Sequence, residues 1–287
     1  MKKILFPTDF SEAADRAFIY ALNVADKLDA GITTVHAYHL PYVKAMHLPQ
    51  TLKEVYDSIV IEEFDNYRDH VPRLRELATA QGLGQVPLHH VMVEAGAGVV
   101  RAILGVARDD QSEMIIMGTT GASGLREIFL GSVAAEILEN ASCPVLAVPV
   151  RAVFDGAIDK IAMTTEFAPG EKMALVRLLR FADLFHADVY VVHVDTAHTE
   201  QFARRMDTFT SDLDHPNLYH QVIDALDVEP ALARFIEEYR IDVLAMLTHK
   251  RNALQELFTY SMTKKMAYHL RVPILAFHGQ NADAVTP

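Results

Sequence analysis

The chain has 287 residues, of which 51% are hydrophobic and 22% charged, and its formal net charge at pH 7 is −12. This is the composition of a folded protein with one large domain or two ordinary ones. The negative charge argues against an extended surface for nucleic acid or anionic membrane, because both need clustered lysine and arginine. A single cysteine, Cys143, excludes an internal disulfide and a paired-cysteine metal site.

Neither a leader nor a membrane span is predicted. The apolar run after Lys2 and Lys3 stops at Pro7, which is too early for a signal peptide. No stretch approaches the roughly 18–20 uninterrupted apolar residues of a transmembrane helix. We therefore expect a cytoplasmic protein without a membrane or nucleic-acid partner.

Apolar patterns in the first half alternate between short strands and helices. Residues 3–7 (KILFP) predict a strand, the helical spacing of Ala14 and Phe18 predicts a helix ended by Gly31, and the β-branched run 32–38 predicts a second strand. This order favours parallel pairing. Further patterns predict, in order, a helical segment at 51–80, a strand at 86–93, a helix at 99–107, a strand at 114–117, a helix at 132–140 and a strand at 144–150.

The second half of the chain repeats the first. The segment KILFPTDFSEAADRA aligns with KIAMTTEFAPGEKMA, so that Phe10 matches Phe167 at an offset of 157 residues. The C-terminal parts align at a second offset of 129 residues. We predict a tandem duplication of an α/β fold, with domains at 1–150 and 158–278, each a doubly wound parallel sheet of five strands.

The two offsets imply that the second copy is 28 residues shorter, mostly opposite residues 40–81. The helical segment 51–80 in that region contains Pro72 and is expected to pack its apolar positions on the sheet. A lid or a dimer arm is the alternative role for its extra length.

A glycine-rich stretch at 117–133 (MGTTGASGLREIFLGSV) follows a predicted strand and opens a helix. It holds Gly118, Gly121 and Gly131, the last followed at once by Ser132. Glycine lets a backbone approach a ligand closely, and the free N–H groups of a helix start favour anions. The hypothesis is a cradle for nucleotide phosphates; the alternative is a structural turn in which Ser132 caps the helix.

The second copy supplies an internal control for this stretch. At the aligned positions the glycines are replaced by Leu247, Lys250 and Tyr260, whereas the serine is kept as Ser261. Since the repeated fold does not require the three glycines, their presence favours a ligand role confined to the first half.

The spacing Gly118-x2-Gly121-x9-Gly131-Ser132, with KKILFPTDFSEAA before it and SCPVLAVP after it, resembles the universal stress protein family. The resemblance implies an adenine-nucleotide alpha-hydrolase-like fold with strand order 3-2-1-4-5. It also implies ATP binding, since members with the glycine pattern intact bind ATP and members without it generally do not.

Carried over to this sequence, the resemblance implies a set of ATP contacts in the first half. The implied contacts are Pro7, Thr8 and Asp9 with adenine and ribose, the main chain of Ala37 with the adenine edge, Met117 and Gly118 with ribose and phosphate, and Gly121, Gly131, Ser132 and Val133 with the triphosphate. Mg²⁺ could accompany the phosphates. Fifth strands pair across family dimers, so 144–150 and 273–277 are expected to meet as an intramolecular pseudo-dimer; a homodimer stays open.

Other motifs give weaker hypotheses. Gly96-Ala97-Gly98 mimics a dinucleotide fingerprint, but Arg101 stands where glycine or alanine is needed, so a tight turn is expected. The adjacent His89 and His90 face opposite sides of a strand, which disfavours a protein-ligated metal. The expected function is nucleotide-dependent sensing or scaffolding in stress response, with no dedicated catalysis. The alternatives are a slow ATPase or nucleotidyl transferase, and a scaffold that binds no nucleotide.

Overall fold

The computed structural model describes residues 1–39, 50–119, 131–199, 201–248 and 272–278, with side chains from residue 60 onward in the second helix. The first half contains β1 (Lys2–Pro7), α1 (Glu12–Leu28), β2 (Ala30–Tyr38), α2 (Gln50–Ala80), β3 (Leu88–Glu94), α3 (Val99–Asp109), β4 (Met114–Gly118), α4 (Ser132–Asn140) and β5 (Val145–Val148). The second half contains β6 (Lys160–Thr164), α5 (Glu171–Asp183), β7 (Asp188–Asp195), α6 (Gln201–Thr210), β8 (Leu218–Asp224), α7 (Val228–Tyr239), β9 (Val243–Thr248) and β10 (Ile274–His278).

All ten strands form one sheet in the order β3-β2-β1-β4-β5-β10-β9-β6-β7-β8. Within each half the order is 3-2-1-4-5 and every pairing is parallel, which confirms the doubly wound α/β prediction. The halves meet where β5 and β10 pair antiparallel, with Leu146 opposite Leu275. Two five-stranded sheets are thus joined edge to edge, because pairing satisfies backbone groups that a free apolar edge would expose.

The helices cover both faces of the sheet, so the central strands are apolar on both sides. Ile4, Leu5 and Phe6 of β1 are fully buried. On one face, Phe18 of α1 and Leu178 of α5 belong to a single apolar core that runs across both halves. On the other face, α3 and α4 cover the first half and α7 covers the second. No helix of the described ranges is long and apolar enough to cross a membrane.

One local feature differs from the sequence expectation. Helix α1 ends at Leu28 and not at Gly31, because Asp29 takes the left-handed conformation (φ 52°) that closes a helix. Gly31 lies within β2, where a Cβ atom would come 2.8 Å from the side chain of Met1. Pro72 lies inside α2 without ending it.

The halves differ most in one helix. Helix α2 has 31 residues, whereas α6, at the same place in the second half, has 10. This difference covers most of the 28-residue shortening deduced from the alignment offsets. Helix α2 packs against α1 and against β3, the terminal strand of the sheet.

Candidate functional site

The candidate site lies at the carboxyl ends of β1 and β4. The chain runs outward from β1 through β2 to β3, and then returns to place β4 on the other side of β1. Ligands of open α/β sheets bind at such a point of reversal, outside the carboxyl ends of the strands. Pro7 ends β1 and Gly118 ends β4, so two of the predicted contact segments meet at this edge.

The loop after β1 is held by its own side chains. The buried Thr8 hydroxyl accepts a hydrogen bond from the Phe10 N–H at 3.0 Å, and Phe10 takes a left-handed φ of 59°. The Asp9 carboxylate accepts from the Ser11 N–H at 3.1 Å, and the Ser11 hydroxyl in turn caps α1. The loop is therefore fixed, with the Asp9 carboxylate at the carboxyl edge of the sheet.

A cluster of rings connects this loop to β2 and α2. Nδ1 of His36 donates to the Thr8 carbonyl at 3.0 Å, and because a carbonyl only accepts, Nδ1 carries the proton. The Phe10 ring lies 5.0 Å from His36 and 4.6 Å from His70, between centroids. Ala37, the predicted contact for the adenine edge, follows His36 in β2 and is half-buried beside Val93 of β3.

Sequence reasoning assigned no role to these rings. A signal was nevertheless present, because Phe10 and His36 recur as Phe167 and His193 at the same offset of 157 residues. Their recurrence in the second copy marks them as parts of the fold.

The phosphate side of the candidate site is formed by the end of β4 and the start of α4. Met117 is buried in the core, Gly118 follows it, and Gly131, Ser132 and Val133 open the helix. Gly121 lies outside the described residues. The segments on either side of that gap are close together, since the Gly131 N–H donates to the Thr119 carbonyl at 2.6 Å.

This geometry explains one of the glycines directly. A Cβ atom at position 131 would come 3.1 Å from the Thr119 carbonyl oxygen, which is tighter than most real contacts. Gly131 is the N-cap of α4 and, as a glycine, has no side chain with which to cap the helix. The alternative in which Ser132 serves as the cap is therefore wrong: Ser132 is exposed in the first turn. The N–H groups of that turn have no side-chain acceptor from a cap.

In the second half, a buried carboxylate accepts hydrogen bonds from the equivalent loop, which follows β6. Glu171 is 5% exposed and accepts hydrogen bonds from the Thr165 hydroxyl at 2.6 Å, the Ala168 N–H at 2.9 Å and the Glu166 N–H at 3.1 Å. At the offset of 157 residues, Glu171 matches Ala14 in the first half. The donors of the loop after β6 are thus consumed internally.

Helix α6 also covers this second loop. The Arg205 guanidinium lies 4.9 Å from the centroid of the Phe167 ring, and Phe202 stacks on the same ring at 6.1 Å. In the first half, His70 of α2 stacks on the matching Phe10. Both copies therefore place a phenylalanine ring in the loop after their first strand, but the side chains that stack on this ring differ.

One other predicted feature has a simple structural outcome. The Gly96–Gly98 segment is a tight turn, in which the Gly98 N–H donates to the Ala95 carbonyl at 2.9 Å and φ of Gly98 is 104°. No group of three or more metal-ligating side chains occurs within the described ranges.

Residues 1–149 match the model of the universal stress protein family. A universal stress protein of Methanocaldococcus jannaschii is 34% identical over 150 residues, covering 51% of this chain and 81% of the relative. A universal stress protein of Thermus aquaticus is 31% identical over 147 residues, covering 51% and 98%. Each of these relatives matches about half of this chain.

Solved structures extend the likeness of fold to both halves. A universal stress protein from Archaeoglobus fulgidus superposes with a TM-score of 0.72 at 17% identity, covering 96% of each chain. A functionally unknown protein from Pseudomonas aeruginosa superposes with a TM-score of 0.63 at 14% identity, covering 99% of this chain and 95% of its own. The chain therefore belongs to the universal stress protein family.

Proposed function

We propose that the first half binds an adenine nucleotide, ATP, and that the protein acts as a nucleotide-dependent sensor or scaffold in the stress response. The observation that carries the proposal is the contrast between the two copies. In the second copy a buried carboxylate, Glu171, occupies the loop after β6, whereas the first copy has Ala14 at the matching position and a glycine, Gly131, as the N-cap of α4.

The first half fits a nucleotide in three respects. Gly131 is tight against the Thr119 carbonyl, so this turn has no room for a side chain. The uncapped first turn of α4, including Ser132, offers N–H groups and the positive end of the helix dipole to phosphate oxygens. Asp9, at the end of β1, supplies a carboxylate that can accept from ribose hydroxyls. Mg²⁺ would then be carried by the phosphates themselves, in keeping with its preference for phosphate oxygens and water.

The two halves are proposed as tandem domains, 1–150 and 158–278, of which only the first is a nucleotide domain. The antiparallel pairing of β5 with β10 supports a pseudo-dimer within one chain. In the second half, a nucleotide would have to displace the buried Glu171 carboxylate from its three donors, which disfavours a second site.

Calorimetry with ATP tests the proposal. Replacing Ser132 with alanine removes one hydrogen bond to a charged group, which contributes about 1.5–3 kcal/mol, so we expect binding to weaken about 10- to 150-fold. The matched control is Ser261→Ala at the aligned position of the second copy, for which we expect no change. The Gly118→Val/Gly131→Val double variant should abolish binding.

Two results would contradict the proposal. The first is the absence of binding heat with ATP together with no adenine compound released on denaturation, which would favour a nucleotide-independent scaffold. The second is unchanged affinity in a folded Gly118→Val/Gly131→Val protein. Steady-state ADP release faster than about 1 s⁻¹ would instead indicate an enzyme.

A further inference from the structure

Helix α2 exposes an apolar flank that its own packing does not use. Its inner positions, among them Tyr67, Leu74 and Ala78, are buried against the sheet. One flank beside them carries Ile61, 60% exposed, and Phe64, 54% exposed. The second copy has no counterpart for this length of helix, so repetition of the fold does not explain the exposed side chains.

The flank continues as a shallow groove along the same helix. A space of about 360 Å³ is lined by Phe64, Tyr67, Arg68, Val71, Pro72 and Arg75. Its outer positions follow the spacing 61, 64, 68, 71, 75, in steps of three and four residues, which is the seam along which two helices pack. We call the stripe Ile61–Phe64–Arg68–Val71–Arg75 the α2 flank.

The α2 flank lies at one end of the molecule. On its other side, α2 is joined to α1 by an ion pair of Arg73 with Asp15 and to the loop after β1 by the His70 ring on Phe10. The strand beneath α2 is β3, the terminal strand of the sheet. The edges of β5 and β10 are already paired with each other within the chain. The α2 flank is therefore an apolar surface on which a second copy of the chain could pack.

The charges of the helix select the orientation of such a partner. Residues 60–66 contain three carboxylates and no basic side chain, whereas 67–75 contain three arginines and one carboxylate. In a parallel pair, Arg68 and Arg75 would each meet the same arginine of the other copy. In an antiparallel pair the acidic part of one helix lies along the basic part of the other.

The antiparallel register also matches the side chains of the seam. With position 64 opposite position 68 of the second helix, Ile61 meets Val71 and the Phe64 ring meets the Arg68 guanidinium. Arg68 lines the groove and pairs with Asp65 at 2.8 Å and with Asp69 at 3.1 Å. An arginine over an aromatic ring is a favourable contact, and the arrangement is self-complementary, as a two-fold interface must be.

We propose that the α2 flank is a homodimer interface, on which a second copy of the chain packs its α2 antiparallel. The stripe from Ile61 to Arg75 spans about 21 Å of helix. An interface built on one helix pair lies at the small end of the range for specific complexes, so the dimer dissociates in the micromolar range.

Sedimentation equilibrium of the full chain, from about 1 to about 200 µM, brackets this range. We expect reversible dimerisation of the wild type. Phe64→Lys places a cation against the second copy's arginine and should weaken the dimer at least tenfold. The matched control is Leu226→Lys, a substitution at a side chain that is 81% exposed in the second half and should leave the dimer intact.

Cysteine cross-linking tests the register in a Cys143→Ser background. The double variant Ile61→Cys/Val71→Cys should form a disulfide dimer on mild oxidation, because these positions face each other in the antiparallel pair. Either single variant should not, because identical positions are then about 15 Å apart along the helix. Neither measurement involves a nucleotide, so failure of the site proposal would leave these expectations unchanged.

Three outcomes would overturn the proposal. One is a wild type that remains monomeric at about 200 µM, far above a micromolar dissociation constant. Another is a dimer that Phe64→Lys does not weaken. The third is a single-cysteine variant that cross-links as readily as the double one, which would indicate a parallel pair. Far-UV circular dichroism of each variant distinguishes lost association from lost folding.

Discussion

Replacing Glu171 with alanine should destabilise the protein more than any change at a surface carboxylate. The side chain is 5% exposed and accepts three hydrogen bonds, at 2.6, 2.9 and 3.1 Å. Alanine removes the acceptor and leaves the Thr165 hydroxyl, on a side chain that is 2% exposed, without an acceptor for its proton. The loop between β6 and α5 then loses the group that organises it.

The size of the expected stability loss follows from the donors that no longer have an acceptor. A hydrogen bond to a charged group contributes about 1.5–3 kcal/mol, and an orphaned buried donor costs about 1–3 kcal/mol. The three bonds share one carboxylate and are not additive. We expect a loss of about 2–4 kcal/mol in the free energy of unfolding. Glu171→Gln keeps one acceptor oxygen and should lose less.

Urea unfolding followed by far-UV circular dichroism measures this loss. The matched control is Glu12→Ala, which removes an exposed carboxylate from the first turn of the corresponding helix α1. That change should cost only the helix-dipole contribution, about 0.3–1 kcal/mol. A loss for Glu171→Ala no larger than the control would refute the assignment of Glu171 as the internal acceptor.

Two further predictions concern buried titratable groups. Burial raises the pKa of the Cys143 thiol to about 11, so at pH 8 its thiolate fraction is about a hundredfold below that of an ordinary thiol. A disulfide reagent should therefore react about a hundredfold more slowly with the native chain than with the unfolded chain. Equal rates would be inconsistent with burial of the thiol. Burial lowers the pKa of His278, whose Nε2 donates to the Leu138 carbonyl at 2.7 Å. As the pH falls, the unfolded chain therefore binds a proton at His278 before the native chain does. The free energy of unfolding should then fall as pH drops below about 6.5, by at most about 1.4 kcal/mol per pH unit. Urea midpoints between pH 7 and 5 measure the slope, and an unchanged slope in His278→Gln would exclude this histidine as its source.

The fold was predictable because its signals are local and repeated. Periodic apolar positions give the strands and helices, and the offset of 157 residues gives the repeat of β1, α1 and β2 as β6, α5 and β7. The family resemblance implied the strand order within each half. The end of α1 was misjudged because a glycine was taken as the stop, whereas Asp29 tolerates the left-handed conformation and serves as the cap.

The role of Glu171 was not predictable in the same way. In the sequence it is one of many carboxylates at the start of a helix, aligned with Ala14 in the other copy. Its importance depends on three donors that approach it only after the loop has folded. Phe64 was missed for a related reason: apolar residues of 51–80 were expected to pack on the sheet, and only the position of α2 shows which of them do not.

The duplication separates residues that maintain the fold from residues that could serve a ligand. Thr8 and Thr165 share one hydroxyl role, each accepting from the N–H two residues later at 3.0 Å, whereas Thr165 alone also donates its hydroxyl proton to the buried Glu171. The acceptor role, present in both copies, is explained by the loop and does not need a ligand.

Two histidines can be assigned to the fold in the same way. His36 and His193 hold the carbonyls of those threonines at 3.0 and 2.8 Å, which also assigns them to the fold. By contrast, Gly131 is replaced by tyrosine in the second copy, and the alanine at position 14 by a buried carboxylate. Of these two differences, the carboxylate of Glu171 takes two backbone donors of its loop, those of Glu166 and Ala168. A ligand of the first half should therefore be recognised chiefly through main-chain N–H groups, and side-chain substitutions around the loop after β1 should affect folding before they affect binding.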